Sequence, residues 1–353
     1  MSTMLDYIDR ESEVLGVILN EYGAKLAPLK EYLANKAVNK IMILATGSSY
    51  NAVLCAKYYF ETQFGMLVEI KEPYNFTHYE RVDPTTDLVI AVSQSGKSAS
   101  TLEAVKKVQT QSIPVFCLTS NPASPVAQQA DGVLDINTGI ESVGFVTLGF
   151  SATVLNLLLI ALTMAEQGGL LKPGEKEKAQ ADLKEIARAI PDVIDKTNAF
   201  FTRHRQHFIE AQRFVAIGYG ALVGVAKEFE TKFTETVRLP SSGFELEAYM
   251  HGPYLEANPK HTLFFIEDKL HVRSAALRDY MRPALGGAFT VTLAAQNKDE
   301  NTLVLDYSVS HNFAPLLLIV PFQLLAFKIA TAKGIDLSVR IFDDFDTVLK
   351  SKI

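Results

Sequence analysis

Cysteine is nearly absent: Cys55 and Cys117 are the only two in 353 residues, both lie in apolar runs, and no CxxC spacing occurs. Buried free thiols in a reducing compartment are therefore expected in preference to a disulfide or a zinc site. Excess positive charge is missing too. The formal net charge of −6 and a pI near 5.7 leave no basic patch of the kind that nucleic-acid binding needs. Basic residues are also lacking at the start, MSTMLDYIDRESEV, where acids stand in place of the charged region of a signal peptide. A cytoplasmic protein is expected.

Two stretches lack charge and pass the length test for a membrane span: Ser142 to Ala165, and NFAPLLLIVPFQLLAF from Asn312 to Phe327. The first carries Gly144, Thr147, Gly149, Ser151, Thr153 and Asn156, the second is broken by Pro315 and Pro321, and neither has flanking basic clusters. Helices buried between a sheet and a partner subunit are expected, and no membrane partner.

The stretch AVSQSGKSAS (91–100) contains the Gly-Lys-Ser of a nucleotide-binding loop but has Ala91 where that loop needs its first glycine. It follows the apolar run Asp87 to Val92 and precedes a helical pattern, so it reads as strand, hydroxyl-rich turn and helix N-terminus. Such a turn suits a single phosphate, held by amides, serine hydroxyls and the helix dipole. A phosphorylated small molecule is thus favoured over a nucleotide.

With 48% hydrophobic residues the chain can build two cores. After a helical arm, apolar strand-like runs (40–47, 67–70, 87–92, 113–118, 132–136) alternate with helical ones (51–64, 101–109 and the uncharged helix). That alternation argues for a parallel sheet covered on both faces. A charged stretch rich in Gly, GGLLKPGEKEKAQADLKE, reads as a connection into a surface helix. The pattern then restarts, with strands expected at 213–220, 261–266, 289–295 and 302–306 and a last apolar helix. ILATGSSY with AKYYFET is echoed about 170 residues later by VAIGYG with AKEFET, which suggests two copies of one domain. The second copy lacks the Ser-Gln-Ser-Gly turn and is not expected to hold the same ligand.

Candidate chemistry falls in both halves. The turns Thr46-Gly47-Ser48-Ser49 and Ser93-Gln94-Ser95-Gly96-Lys97-Ser98 each end a strand, where open α/β sheets bind ligands. Each alone is equally open to an ordinary capping role; together they favour a phosphate site. In the second half Glu228, Lys232 and Glu235 lie one turn apart, and periodicity favours a solvated ion-pair face for them. His251 falls in an irregular Met-His-Gly-Pro segment, open to a functional or an ordinary loop role.

These residues together resemble the sugar isomerase (SIS) domain family in its two-domain form, typified by the isomerase half of glucosamine-6-phosphate synthase and by fructosamine 6-phosphate deglycases. The resemblance runs from about Ile41 to Gly334. Its marks are T-G-S-S-Y at 46–50, S-Q-S-G at 93–96, N-T-G-x-E at 137–141, K-x-x-E at 232–235, H-G-P at 251–253 and V-P-F-Q-L-L-A at 320–326. It implies an α/β fold of two tandem SIS domains, each a doubly wound parallel sheet flanked by helices. The expected division is an arm at 1–37, a first domain at 38–168, a linker helix at 169–190 and a second domain at 191–353. It also implies that Gly47, Ser48, Ser49, Ser93, Gln94, Ser95 and Ser98 bind the sugar phosphate, that Glu235 shuttles a proton between C1 and C2, and that His251 opens the sugar ring, often from a partner subunit. Lys232 is implied close to the reacting carbons, with no metal or organic cofactor and with at least a homodimer.

Departures from the synthase pattern bear on the reaction. No glutaminase domain is read, the synthase's final lysine-bearing segment is replaced by FDDFDTVLKSKI, its Ser-Thr-Lys is replaced by Phe145-Val146-Thr147-Leu148, and Ala248 stands where glutamate is usual. A rebuilt rim with Glu and His retained looks like the deglycases, which split an amine-bearing sugar phosphate into glucose 6-phosphate and free amine. Glu245 and Glu247 are candidates to meet a cationic amine, or form an ordinary charged edge. The alternatives are an aldose–ketose isomerase or amino-sugar phosphate deaminase, and a sugar-phosphate sensor without turnover.

Overall fold

Runs such as Ile-Met-Ile-Leu, Leu-Val-Ile-Ala-Val and Val-Phe-Cys-Leu-Thr are too short for helices and apolar at every position, so they form strands covered on both faces. The computed structural model of the chain describes residues 3–34, 36–294 and 299–353. The polypeptide divides into two compact units, Glu13–Lys184 with Arg340–Ile353, and Glu185–Val339 with Met1–Ser12. Helices α1 (Met4–Asp9), α2 (Glu11–Lys25) and α3 (Ala27–Leu33) precede the first strand. The residues expected as one arm are thus shared between the units.

The first unit holds β1 (Lys40–Leu44), β2 (Leu67–Lys71), β3 (Leu88–Val92), β4 (Val115–Thr119) and β5 (Gly132–Asp135), all parallel, in the order β2-β1-β3-β4-β5. Between them run α4 (Ser48–Tyr58), α5 (Pro73–Tyr79), α6 (Ala99–Gln109) and α7 (Pro125–Gln129), followed by α8 (Leu148–Gln167). Alternate strand residues Met42, Leu44, Val89, Ala91, Val115 and Cys117 pack against Phe76 of α5, Val105 and Val108 of α6 and Val126 of α7. The intervening residues point to the opposite face, and α8 packs against α4 and α3. The sheet is doubly wound. Where a single helix was expected from 51 to 64, α4 passes at Tyr59 into a π-helical turn, Tyr59–Gln63.

In the second unit α9 (Glu175–Glu210), which starts in the first, leads into β6 (Arg213–Gly218), α10 (Leu222–Thr236), β7 (Ser241–Glu245), α11 (Leu246–Met250) and β8 (His261–Glu267). Then follow α12 (Val272–Met281), β9 (Gly287–Thr292), β10 (Thr302–Val304), α13 (Pro315–Leu318) and α14 (Val320–Ala332), and after the unit's end α15 (Phe345–Leu349). The sheet is again all parallel, with order β10-β9-β8-β6-β7, the same topology as the first. The repeat legible in the sequence is therefore a repeat of structure. One face packs an aromatic cluster in which Phe229 and Phe233 of α10 stack at 4.1 Å and Phe322 of α14 meets Phe229 and Phe264 edge-on.

Several elements differ from expectation. The expected linker helix runs on past residue 190 and through Pro191 to Glu210; proline deletes one helical hydrogen bond there without ending the helix. Strand β7 has no apolar run. It is a strand because it pairs with β6 and because Gly243 lets it approach α10, where a Cβ would sit 2.0 Å from the Ala226 carbonyl oxygen. Of the strand expected at 289–295, the end at Ala295 lies outside the described residues. The two uncharged stretches form helices of mean hydropathy 2.0 and 1.8; the first is buried throughout its window and the second over 78% of it. Neither cysteine is in a disulfide and both are buried, and burial pushes the Cys117 thiol up to about 12, far from a reactive thiolate.

Candidate active site

The two serine turns lie side by side because their strands are neighbours. Leu44 of β1 pairs with Ala91 of β3, so Thr46-Gly47-Ser48-Ser49 and Ser93 to Ser98 leave the same carboxyl edge, one strand spacing apart. β2 lies on the other side of β1, which makes the β1–β3 gap the switch point where ligands bind in open α/β sheets. Gly47 takes φ 58° as N-cap of α4, and Ser48 and Ser49 open the helix, at the positive end of its dipole.

The second turn is tightly built. The Ser93 amide donates to the Leu118 carbonyl (3.0 Å), and the Gly96 amide closes the turn on the Ser93 carbonyl (2.9 Å). Gly96 has φ 65°, and a Cβ there would lie 1.8 Å from Ser124 Oγ; only glycine meets both conditions. Ser98 is the N-cap of α6, its Oγ accepting from the Thr101 amide (3.3 Å) and hydroxyl (2.9 Å). The capping role is thus realised at Ser98, whose Oγ also bonds Ser100 Oγ (3.2 Å). Ser95 Oγ accepts from the Lys97 amide (3.4 Å). Gln94 stands apart: its Nε2 is buried and has no hydrogen-bond partner among the described residues, an unsatisfied donor of the kind that is rare in a folded interior.

Sequence reading assigned no role to the residues that finish this edge. Glu141 caps α8 from a distance, accepting from the amides of Thr147 (3.1 Å) and Gly149 (2.5 Å), and Ser120 Oγ bonds Thr138 Oγ1 (2.8 Å). The Asn-Thr-Gly-Ile-Glu segment was the available signal, but a cap six to eight residues from its amides has no local spacing rule.

In the second unit Lys232 and Glu235 come together at the end of α10. Lys232 Nζ donates to Glu235 Oε2 at 2.5 Å and lies 3.5 Å from Glu228 Oε1. Lys232 and Glu228 are 0% exposed, which overturns the solvated ion-pair face expected from periodicity. The reason is that α10 is covered on both sides, by β6 and β7 and by α13 and α14. Only Glu235, with 36% of its side chain exposed, reaches the surface. A buried ammonium thus fixes one oxygen of a carboxylate whose remaining surface is open.

His251 lies in the short turn between α11 and a 3-10 segment, Pro253–Glu256. It is the C-cap of α11, exposed, with Nδ1 hydrogen-bonded to the Glu247 carbonyl (2.8 Å); with Nδ1 donating, Nε2 is the free, basic nitrogen. Among the described residues no hydrogen bond joins His251 to Glu235. Glu245 is spent as the N-cap of α11 (Ala248 amide, 2.9 Å). Glu247 pairs with Arg273, whose Nη2 lies 2.8 Å from Oε2, and that guanidinium holds the carboxyl below its usual range.

The crevice of the second sheet that corresponds to the phosphate edge of the first, between β6 and β8, is occupied by its own side chains. Tyr219 donates to Asp268 (2.8 Å), His311 Nδ1 bonds the other carboxylate oxygen (2.9 Å), and His311 Nε2 accepts the Ala221 amide (3.3 Å). Burial works to raise the Asp268 carboxyl, but the His311 and Tyr219 hydrogen bonds bring it out lowered. A fixed carboxylate thus stands at the edge where the first sheet has serines. Among the described residues no group of three or more His, Cys, Asp or Glu is placed to hold a metal ion.

Comparison with known proteins bears on the first half directly: the SIS domain model matches residues 33–164. Those residues form a SIS domain. Over 346 residues the chain is 27% identical to a glutamine–fructose-6-phosphate aminotransferase (isomerizing) of Mycolicibacterium smegmatis, a match that covers 95% of this chain and 53% of that protein. The chain thus spans about half the length of the curated relatives it matches. A Clostridium difficile 630 protein provisionally called a phosphosugar isomerase superposes with a TM-score of 0.90 at 24% identity, covering 99% and 98% of the two chains. Glucosamine-6-phosphate deaminase of Thermotoga maritima superposes at 0.76 with 20% identity, covering 95% and 96%. Both likenesses take in the SIS domain and the second, topologically identical unit, so the two-domain SIS fold is that of the whole chain.

Proposed function

We propose that the protein is a cytoplasmic enzyme acting on a sugar 6-phosphate that carries an amine, releasing glucose 6-phosphate and the free amine. The observation that carries the reading is the Lys232–Glu235 pair: a carboxylate held by a buried cation yet accessible, the arrangement a proton-transfer base needs. Gly47, Ser48, Ser49, Ser93, Gln94, Ser95 and Ser98 hold the phosphate, with the unpartnered Gln94 amide among the donors. His251 Nε2 assists ring opening by taking and returning a hydroxyl proton. Its exposure suits donation to a second copy of the chain, and at least a dimer is part of the proposal.

The steps balance with water as the only co-reactant. Glu235 takes a proton from C1 of the open-chain ketoamine, leaving an enaminol, and returns it to C2. The resulting C1 imine adds water, and the C–N bond breaks to give the aldehyde of glucose 6-phosphate and the amine. A second reading, aldose–ketose isomerisation without amine release, uses the same proton transfer. It is favoured by the isomerizing relatives and by Glu245 and Glu247, which are engaged within the chain instead of standing free for a cationic amine.

A panel of phosphorylated sugar–lysine adducts assayed beside fructose 6-phosphate separates the two. The proposal expects free lysine and glucose 6-phosphate in equal amounts from an adduct. Interconversion of hexose phosphates with no amine released from any adduct would establish the second reading in its place.

A further inference from the structure

The last residues of the chain lie against the phosphate turn. Ala99 donates its amide to the Ser351 carbonyl (3.2 Å), and Ile353 donates its amide to the Lys97 carbonyl (3.0 Å). Ser98 and Lys352 thereby form an antiparallel bridge outside either sheet. In this pattern the bonds flank the facing pair, so the main chain of Ser98 is pinned on both sides. The Ala99 amide is also one of the first-turn donors of α6, which a helix cannot satisfy internally.

What holds this segment is polar. Asp346 accepts from Arg340 Nη2 (2.9 Å), Ser351 Oγ (2.8 Å) and Lys352 Nζ (2.7 Å), and these contacts, Lys352 foremost, bring its carboxyl down to about 2. Lys350, at φ 52°, turns the chain back after α15. Apolar burial contributes little: Phe345, Val348, Leu349 and Ile353 are each at least half exposed. A segment kept in place by one carboxylate hub and two main-chain bonds is easily released.

We propose that Asp346 is a positioning residue for the phosphate turn: by folding residues 346–353 it braces Lys97-Ser98-Ala99 in the conformation that receives the phosphate. The role rests on the phosphate reading given above. It is carried by main-chain bonds to the turn and requires no side chain of the segment to touch the substrate. By linkage, a phosphate held at the turn stabilises the brace as much as the brace favours the phosphate.

The test compares the parent with Asp346→Ala, Asp346→Glu and a chain lacking Ser351–Ile353, measuring amide hydrogen exchange and the affinity for inorganic phosphate and fructose 6-phosphate. The expected result is faster exchange at Ala99 in Asp346→Ala and in the shortened chain. Kd for both probes rises about fivefold or more, recovery is partial in Asp346→Glu, and bound phosphate slows exchange at Ile353 in the parent. Unchanged exchange at Ala99, or faster exchange with unchanged Kd, overturns the brace while leaving the phosphate reading intact. A parent that binds neither probe overturns the phosphate reading, and the role of Asp346 with it.

Discussion

Replacing Glu235 by glutamine lowers kcat by about a thousandfold, the middle of the range for losing a general acid–base group, while fructose 6-phosphate binds within about twofold of the parent. The substitution is nearly isosteric, and its amide oxygen still accepts from the Lys232 ammonium, which lies 2.5 Å from the carboxylate oxygen it replaces. What disappears is the ability to take and return a proton. The measurement is steady-state kinetics on the adduct that the panel identifies, with calorimetric binding of fructose 6-phosphate as control. Turnover near the parent level would remove Glu235 from the mechanism; lost binding together with lost turnover would make it a structural residue instead.

Gly96→Ala raises KM by about tenfold or more and leaves kcat within about threefold, since a damaged phosphate grip weakens binding before and during the reaction alike. Two costs combine at this position. The left-handed backbone conformation, φ 65°, costs a side chain about 1–2 kcal/mol, and the new Cβ would lie 1.8 Å from Ser124 Oγ, forcing apart the turn and the N-cap of α7. Gly169→Ala separates the two costs. It has φ 67° with nothing within 4 Å of the added carbon, so it bears the conformational cost alone and leaves KM unchanged. Urea midpoints of the two variants give the crowding contribution by difference, and KM shows whether the turn serves the ligand. Equal KM values in parent and Gly96→Ala would take this turn out of substrate binding.

Much of the architecture was legible because the physics that forms it is local. Strands apolar at every position announced a covered parallel sheet, and the echo of ILATGSSY in VAIGYG announced the second copy, whose strand order proves identical. The serine turns were legible for the same reason, as hydroxyls and glycines directly after strands. What escaped depends on partners far along the chain. β7 is a strand through pairing with β6 and through a glycine pressed on α10, neither visible in its own five residues. Lys232 and Glu228 looked solvent-facing because helical periodicity reports the spacing of charges and not whether a second layer, here α13 and α14, covers them. Glu141 reaches forward to cap α8, and Ser351 and Ile353 reach back some 250 residues to the turn at Lys97 to Ala99, contacts that no short-range rule anticipates.

Solvent isotope uptake tests the central claim, that a carboxylate of this chain moves a proton between two neighbouring carbons of a bound sugar phosphate. The substrate is turned over in deuterium oxide and the product's C2 position is examined by NMR. The account predicts deuterium at C2 of the glucose 6-phosphate formed by the parent, and none formed in the same time by Glu235→Gln. Product formed by Glu235→Gln at the parent's rate, and with the parent's deuterium content at C2, would contradict it.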